Sequence, residues 1–308
     1  MTSQERLNAM KKTLLFLRRL ALPLVIVATL TFIIERHFFS SEPSLPEHTN
    51  TTVSANPEVQ TILHGKIMVA FRDSVTEFGN YPEIIAQNTG MAVQNMGFKG
   101  TRLAYHPYAA YEPFSLTNLI DAVISRDFSV QDLAIQEDRN YTPAFKQHYE
   151  DLKNIDFSQV DIVSVFIGTN DYMGNSADVV SLGTPDDTTR ETFYGAINYF
   201  VNTMQTAFPA VDLVFVTPTW RMNHEELGGE SASIQPNARD NYLSEFVDTL
   251  VERGEFYQIP TLDLYRTSGL SEENHTNFFI DEVHPNSNGY ELIGNTISQF
   301  LIETYNKE

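Results

Sequence analysis

The chain has 308 residues, 20 of them basic, 40 acidic and none cysteine. That length leaves room for one large domain and a tail. The lack of cysteine excludes a disulfide scaffold, a thiolate nucleophile, a Cys-ligated zinc and a lipidated cysteine anchor. Six of the basic residues (Arg6, Lys11, Lys12, Arg18, Arg19, Arg36) and two acidic ones (Glu5, Glu35) fall in the first forty positions. Residues 41–308 therefore carry 14 basic and 38 acidic side chains, a net charge of −24. Such a surface repels phosphate backbones, which argues against nucleic acid as a partner. It also repels anionic headgroups, which argues against a broad membrane-hugging face.

The N-terminus has a different character. Residues 20–34, LALPLVIVATLTFII, are uncharged and follow Lys11, Lys12, Arg18 and Arg19. A charged start followed by an apolar run is an export signal. As a helix the run spans about 22 Å, against a hydrocarbon core of roughly 30 Å. Leu14–Leu17 extend it if Arg18 and Arg19 reach to the interface. No small-x-small cleavage site follows, so the expectation is a signal anchor over 20–34, with a cleaved signal peptide as the alternative. The basic segment 1–19 then stays in the cytoplasm and the rest lies outside. Residues 35–63 include a Ser-, Thr-, Pro- and Asn-rich stretch without apolar period and read as a linker. The folded domain is expected over 64–308.

Within that domain, short apolar runs alternate with helical patterns. KIMVAF (66–71), MAVQNMG (91–97), DIVSVFIG (161–168), VDLVFVT (211–217) and the weaker IPTLDL (259–264) read as buried strands. Residues 115–125, 191–208, roughly 238–252 and 289–305 read as helices. This alternation predicts an α/β fold. It is a three-layer α/β/α sandwich on a central five-stranded parallel sheet of flavodoxin-like topology. In such sheets the chemistry sits in loops after the C-terminal strand ends.

Four loops carry candidate chemistry. Ser74 follows the first strand, as a nucleophile would, although serines there are also ordinary helix caps. Gly97 and Gly100 follow the second, where glycine turns a backbone N–H toward a ligand or simply makes a turn. Asn170, in Gly168-Thr169-Asn170-Asp171, offers an amide donor for a developing oxyanion, or an Asx turn. Asp281-Glu282-Val283-His284-Pro285-Asn286-Ser287-Asn288-Gly289-Tyr290 is the most informative segment. An Asp three residues before a His can take the Nδ1 proton and leave Nε2 free as a base.

Together these segments resemble, in order and position, the four blocks of the SGNH (GDSL-like) hydrolases. The resemblance spans about residues 64–304, with GTND and DxxHPNxxGY as its closest matches. It implies the following roles. Ser74 is the nucleophile, His284 the general base, and Asp281 the residue that orients it. Gly100 and Asn170 join the Ser74 N–H as oxyanion donors. No metal or organic cofactor is needed. One departure stands out: Arg72 occupies the position of the glycine in the usual Gly-Asp-Ser. It is expected to narrow the pocket, to meet a polar or carboxylate substrate, or to point into solvent. The family acts on lipid esters, thioesters and O-acetyl glycans. An anchored extracytoplasmic enzyme would meet envelope carbohydrate, so short acyl esters, chiefly O-acetyl esters on glycans, are the expected substrates. Trp220, Tyr105, Tyr108 and Tyr111 would form a sugar-stacking rim. An O-acyltransferase, a lipase or lysophospholipase, and a non-catalytic envelope protein are the competing readings.

Overall fold

The computed structural model describes residues 52–53, 61–137, 141–173, 179–225 and 228–306. Five parallel strands form the centre: β2 (Ile67–Arg72), β3 (Ala92–Gly97), β4 (Ile162–Phe166), β5 (Asp212–Val216) and β6 (Thr261–Leu262). A two-residue strand, β1 (Thr52–Val53), adds antiparallel to β3 opposite Gln94 and Val93. The order is β1-β3-β2-β4-β5-β6, so the expected five-stranded parallel sheet is present. Residues 35–63, expected to be a linker, thus contribute a strand, and Leu63 is fully buried. The expected anchor at 20–34 lies outside the described residues. Among the described residues no helix is long and apolar enough to cross a membrane.

The strands read as continuous apolar runs because both faces of the sheet are covered. Alternate side chains divide between two cores. Val69, Phe71, Val163, Val165, Leu213 and Phe215 enter one. Helices α3 (Leu116–Ser125), α5 (Pro143–Asn154), α7 (Phe193–Ala207) and α8 (Leu243–Tyr257) cover it. Met68, Ala70, Ile162, Phe166, Val214 and Val216 enter the other. It is covered by α2 (Tyr81–Thr89), through Ile85 and Ala86, and by α11 (Ser287–Tyr305), through Ile293, Ile297 and Leu301. Burying each of the larger of these side chains contributes roughly 1.5–3 kcal/mol.

Three further helices were not expected from the sequence: α2, α4 (Ser129–Gln136) and α5. Local chemistry starts and stops them. Pro82 lies in the first turn of α2, and Gly90 ends it at φ +76°. Thr142 caps α5 by accepting from the Phe145 N–H at 2.9 Å. The helix expected at 238–252 starts later. Glu245 reaches back to the Tyr242 N–H at 2.7 Å and fixes the start of α8.

Candidate active site

From β2 the chain passes to β3 on one side and later to β4 on the other. The strand order therefore reverses around β2, and the loops after β3, β2 and β4 lie side by side. Such a switch point is where open parallel sheets form clefts. Ser74, Gly100 and Asn170 stand on those three loops.

Ser74 opens a one-turn helix, α1 (Ser74–Glu77), directly after β2. Asp73 caps it, its Oδ1 accepting the Val75 N–H at 3.0 Å. His284 Nε2 lies 3.0 Å from Ser74 Oγ, a contact between residues 210 positions apart. His284 Nδ1 lies 2.7 Å from Asp281 Oδ2. An ionised carboxylate only accepts, so Nδ1 carries the proton and Nε2 accepts from the serine hydroxyl. Asp281 Oδ1 also accepts the Val283 and His284 N–H groups at 2.8 and 2.6 Å. Burial alone would push its carboxyl up. The hydrogen bonds and charge of His284, with the two N–H donors, win and bring it down to about 2.

The loop is fixed from behind. Asn286 caps α11 by accepting the Asn288 and Gly289 N–H groups at 2.9 and 3.1 Å. Gly289 is needed for close approach: a Cβ there would fall 2.2 Å from the Phe278 carbonyl oxygen. Phe78 places its ring edge-on to His284 at 6.0 Å.

Gly100 sits at φ +77°, a conformation that glycine adopts without strain. Its N–H and that of Ser74 meet no acceptor among the described residues. Asn170 follows Gly168 in the short helix α6 (Thr169–Tyr172), and its amide donates to the Thr101 carbonyl at 3.0 Å. More bonds join the two loops. Arg102 donates from Nε to the Asn170 carbonyl at 2.8 Å and from Nη2 to the Met173 carbonyl at 2.9 Å. Asp171 accepts the Leu103 N–H at 3.1 Å and the Ala104 N–H at 2.9 Å. Burial raises the Asp171 carboxyl to about 6, against the pull of those N–H groups and Arg102. Glu77, buried on α1, accepts the Lys99 N–H and the Thr142 hydroxyl, tying the Ser74 turn to the Gly100 loop.

Arg102, Asp171 and Glu77 were not singled out in the sequence. Asp171 was legible as part of GTND but had no visible partner. The other two bear no pattern. Two expectations are corrected. Arg72 neither borders the pocket nor points into solvent. It is 2% exposed and its guanidinium stacks on the Phe166 ring, 3.1 Å from the centroid. Trp220 does not belong to an exposed rim. It is buried against Phe279 and His275, with ring centroids 6.2 and 5.6 Å away. Tyr105 and Tyr108 are 44% and 39% exposed. Tyr111 is half-buried, and its ring would meet a Cβ on Gly100 at 2.9 Å.

The arrangement suits attack on an acyl carbon: the Ser74 hydroxyl is paired with an imidazole that a carboxylate orients. A model of the GDSL-like lipase/acylhydrolase family matches residues 69–292, more than half of the chain. Solved structures share the fold. One crystal structure is 25% identical with a TM-score of 0.55, the match covering 78% of this chain and 97% of the other. A protein from Lactobacillus plantarum is 21% identical, TM-score 0.54, covering 77% and 97%. A possible lipase from Chitinophaga pinensis is 17% identical, TM-score 0.50, covering 77% and 98%. No curated protein matches the chain.

Proposed function

The chain belongs to the GDSL-like lipase/acylhydrolase family, a family of ester hydrolases, and on that premise we propose that it hydrolyses short acyl esters of carbohydrate hydroxyls through Ser74, His284 and Asp281. The observation that carries this reading is the unbroken chain from Ser74 Oγ to His284 at 3.0 Å and on to Asp281 at 2.7 Å.

In this mechanism Ser74 Oγ bonds to the ester carbonyl carbon as His284 Nε2 takes its proton. The carbonyl oxygen becomes an oxyanion received by the Ser74 and Gly100 N–H groups and the Asn170 amide. Asp281 holds the imidazolium in place. Collapse breaks the bond to the alcohol, which leaves with the proton from His284. Water, deprotonated by the same Nε2, then attacks the acyl-serine; the bond to Ser74 Oγ breaks, His284 returns the proton to Oγ, and the acid leaves.

The alcohol half is read from the rim. Tyr105 and Tyr108 expose aromatic surface on the loop that carries Gly100, and Tyr111 links that surface to Gly100 itself. A sugar ring offers an apolar C–H face to such rings and hydroxyls to their polar tips. The uncharged run at 20–34 behind four cations supports an anchored domain outside the cytoplasm, facing envelope glycans.

The test compares wild type with Ser74→Ala on p-nitrophenyl acetate, butyrate, octanoate and an acetylated oligosaccharide. Wild type should favour acetyl esters, label with a fluorophosphonate, and exceed Ser74→Ala by at least about 10³-fold. Equal rates in the two proteins would remove Ser74 from the reaction. A preference for octanoate would replace the glycan ester by a lipid.

A further inference from the structure

Arg72 is the last residue of β2 and the residue two before Ser74. Counting along the strand puts it on the Met68 and Ala70 face, away from Val69 and Phe71. It pairs in register with Phe166 of β4 and stacks on that ring at 3.1 Å. Its Nε lies 3.2 Å from Asp73 Oδ1, with the two side chains 1% and 0% exposed. The same Oδ1 caps α1 through the Val75 N–H. Tyr290, in the second turn of α11, completes the cluster. It lies flush against the turn after α1: a Cβ on Gly79 would fall 2.4 Å from its ring.

This is a costly way to fill a core. Arg72 Nε and Nη1, Asp73 Oδ2 and the Tyr290 hydroxyl are buried without a hydrogen-bond partner among the described residues. Each such group costs stability. Burial pulls the guanidinium below its ordinary value, while Asp73, Tyr81 and Tyr290 push it back. An apolar side chain would pack over Phe166 without these costs. What it would not do is hold a fully buried carboxylate in place.

We propose that Arg72 is a positioning residue: by pairing with Asp73 and stacking on Phe166, it sets the Ser74 turn relative to the Asn170 strand, while the Tyr290 ring against Gly79 braces the same turn against the helix that follows His284. The proposal rests on the hydrolase reading above. The Phe166 strand leads into Gly168-Thr169-Asn170, and Tyr290 belongs to the helix capped just after His284. One cation thus joins the supports of nucleophile and oxyanion donor, and the Tyr290 ring ties the same turn to the support of the base. A shift of about 1 Å in such a turn is enough to cost ~10²-fold in rate.

The test measures kcat, KM and thermal midpoint for wild type, Arg72→Met and Arg72→Lys on p-nitrophenyl acetate. Arg72→Met should lose about 10- to 100-fold in kcat with KM within about twofold. Arg72→Lys, which restores the charge, should recover most of that loss. Wild-type kcat in Arg72→Met, with only a lower midpoint, would overturn the proposal. So would a rise in KM alone, which marks a substrate contact, or a loss that Lys leaves untouched. Should Arg72→Met fail to fold, Asp73→Asn and the double variant Arg72→Met/Asp73→Asn replace it. The pair acts as a unit, so the double variant should lose no more kcat than Asp73→Asn alone. Additive losses would refute the coupling. Wild type inert on every ester and unlabelled by fluorophosphonate would instead remove the hydrolase reading, and this proposal with it.

Discussion

The two halves of the site are built differently. The acid–base half is local: Asp281 bonds to His284 and to two backbone groups within three residues, and Asn286 caps the next helix within another three. The proposed oxyanion half is assembled at long range. Thr101, Arg102, Leu103 and Ala104 bond to Asn170, Asp171 and Met173, residues 67–71 positions away. A local device forms wherever its segment is held. A cross-loop device exists only when the whole sheet is in place. The oxyanion half should therefore be the more sensitive to changes outside it.

Asn170→Ala gives the largest effect on this half. It removes the proposed oxyanion donor and its bond to Thr101, and kcat should fall by roughly 10²–10³-fold with KM little changed. Steady-state kinetics on p-nitrophenyl acetate decide it. A drop below about fivefold would leave the two N–H groups as the only donors.

Asp171→Asn comes next. Both carboxylate oxygens now accept backbone N–H groups. The amide would turn one acceptor into a donor facing a donor. A cost of about 2–3 kcal/mol is expected, which for a domain of this size lowers the thermal midpoint by several degrees. Calorimetry on a variant that retains its midpoint would show that the loops are held by other contacts.

The smallest effect sharpens the local half. Asp281 titrates near 3.8 when unfolded and near 2 when folded. Protons then bind the unfolded chain more readily. The stabilisation is full above pH 4 and is lost as pH falls through about 2, amounting to about 1–2 kcal/mol for this partly solvated group. The stability gap between wild type and Asp281→Asn, from urea midpoints, should shrink between pH 5 and pH 2. A gap independent of pH would mean that the carboxylate contributes by shape rather than by charge.

This contrast also explains what the sequence disclosed. Asp281 to Tyr290 could be read because its geometry is written in consecutive residues. Ser74, Gly100 and Asn170 were found by their place after strands, and GTND helped with the third. Arg102 and Glu77 could not be found, because their partners are chosen by the folded sheet. The parallel strands were legible as apolar runs. Helices α2 and α4 were not, because each has only a short apolar face; α5 buries Phe145, Tyr149 and Leu152 at helical spacing but carries a largely polar sequence around them. Arg72 is intermediate. Alternation along β2 places it with Met68 and Ala70, but a charged residue on an otherwise apolar strand end invites the opposite reading, that it faces water.

The two-residue strand at Thr52–Val53 has a consequence of a different kind. Without it, β3 would be the outermost strand on its side, with a row of unsatisfied backbone donors and acceptors open to any passing chain. Pairing with Val93 and Gln94 closes part of that row with the protein's own upstream segment. A chain shortened to begin at Thr61 would keep every residue of the proposed site and yet expose an aggregation-prone border. The stretch that looks most dispensable thus covers part of a sheet edge.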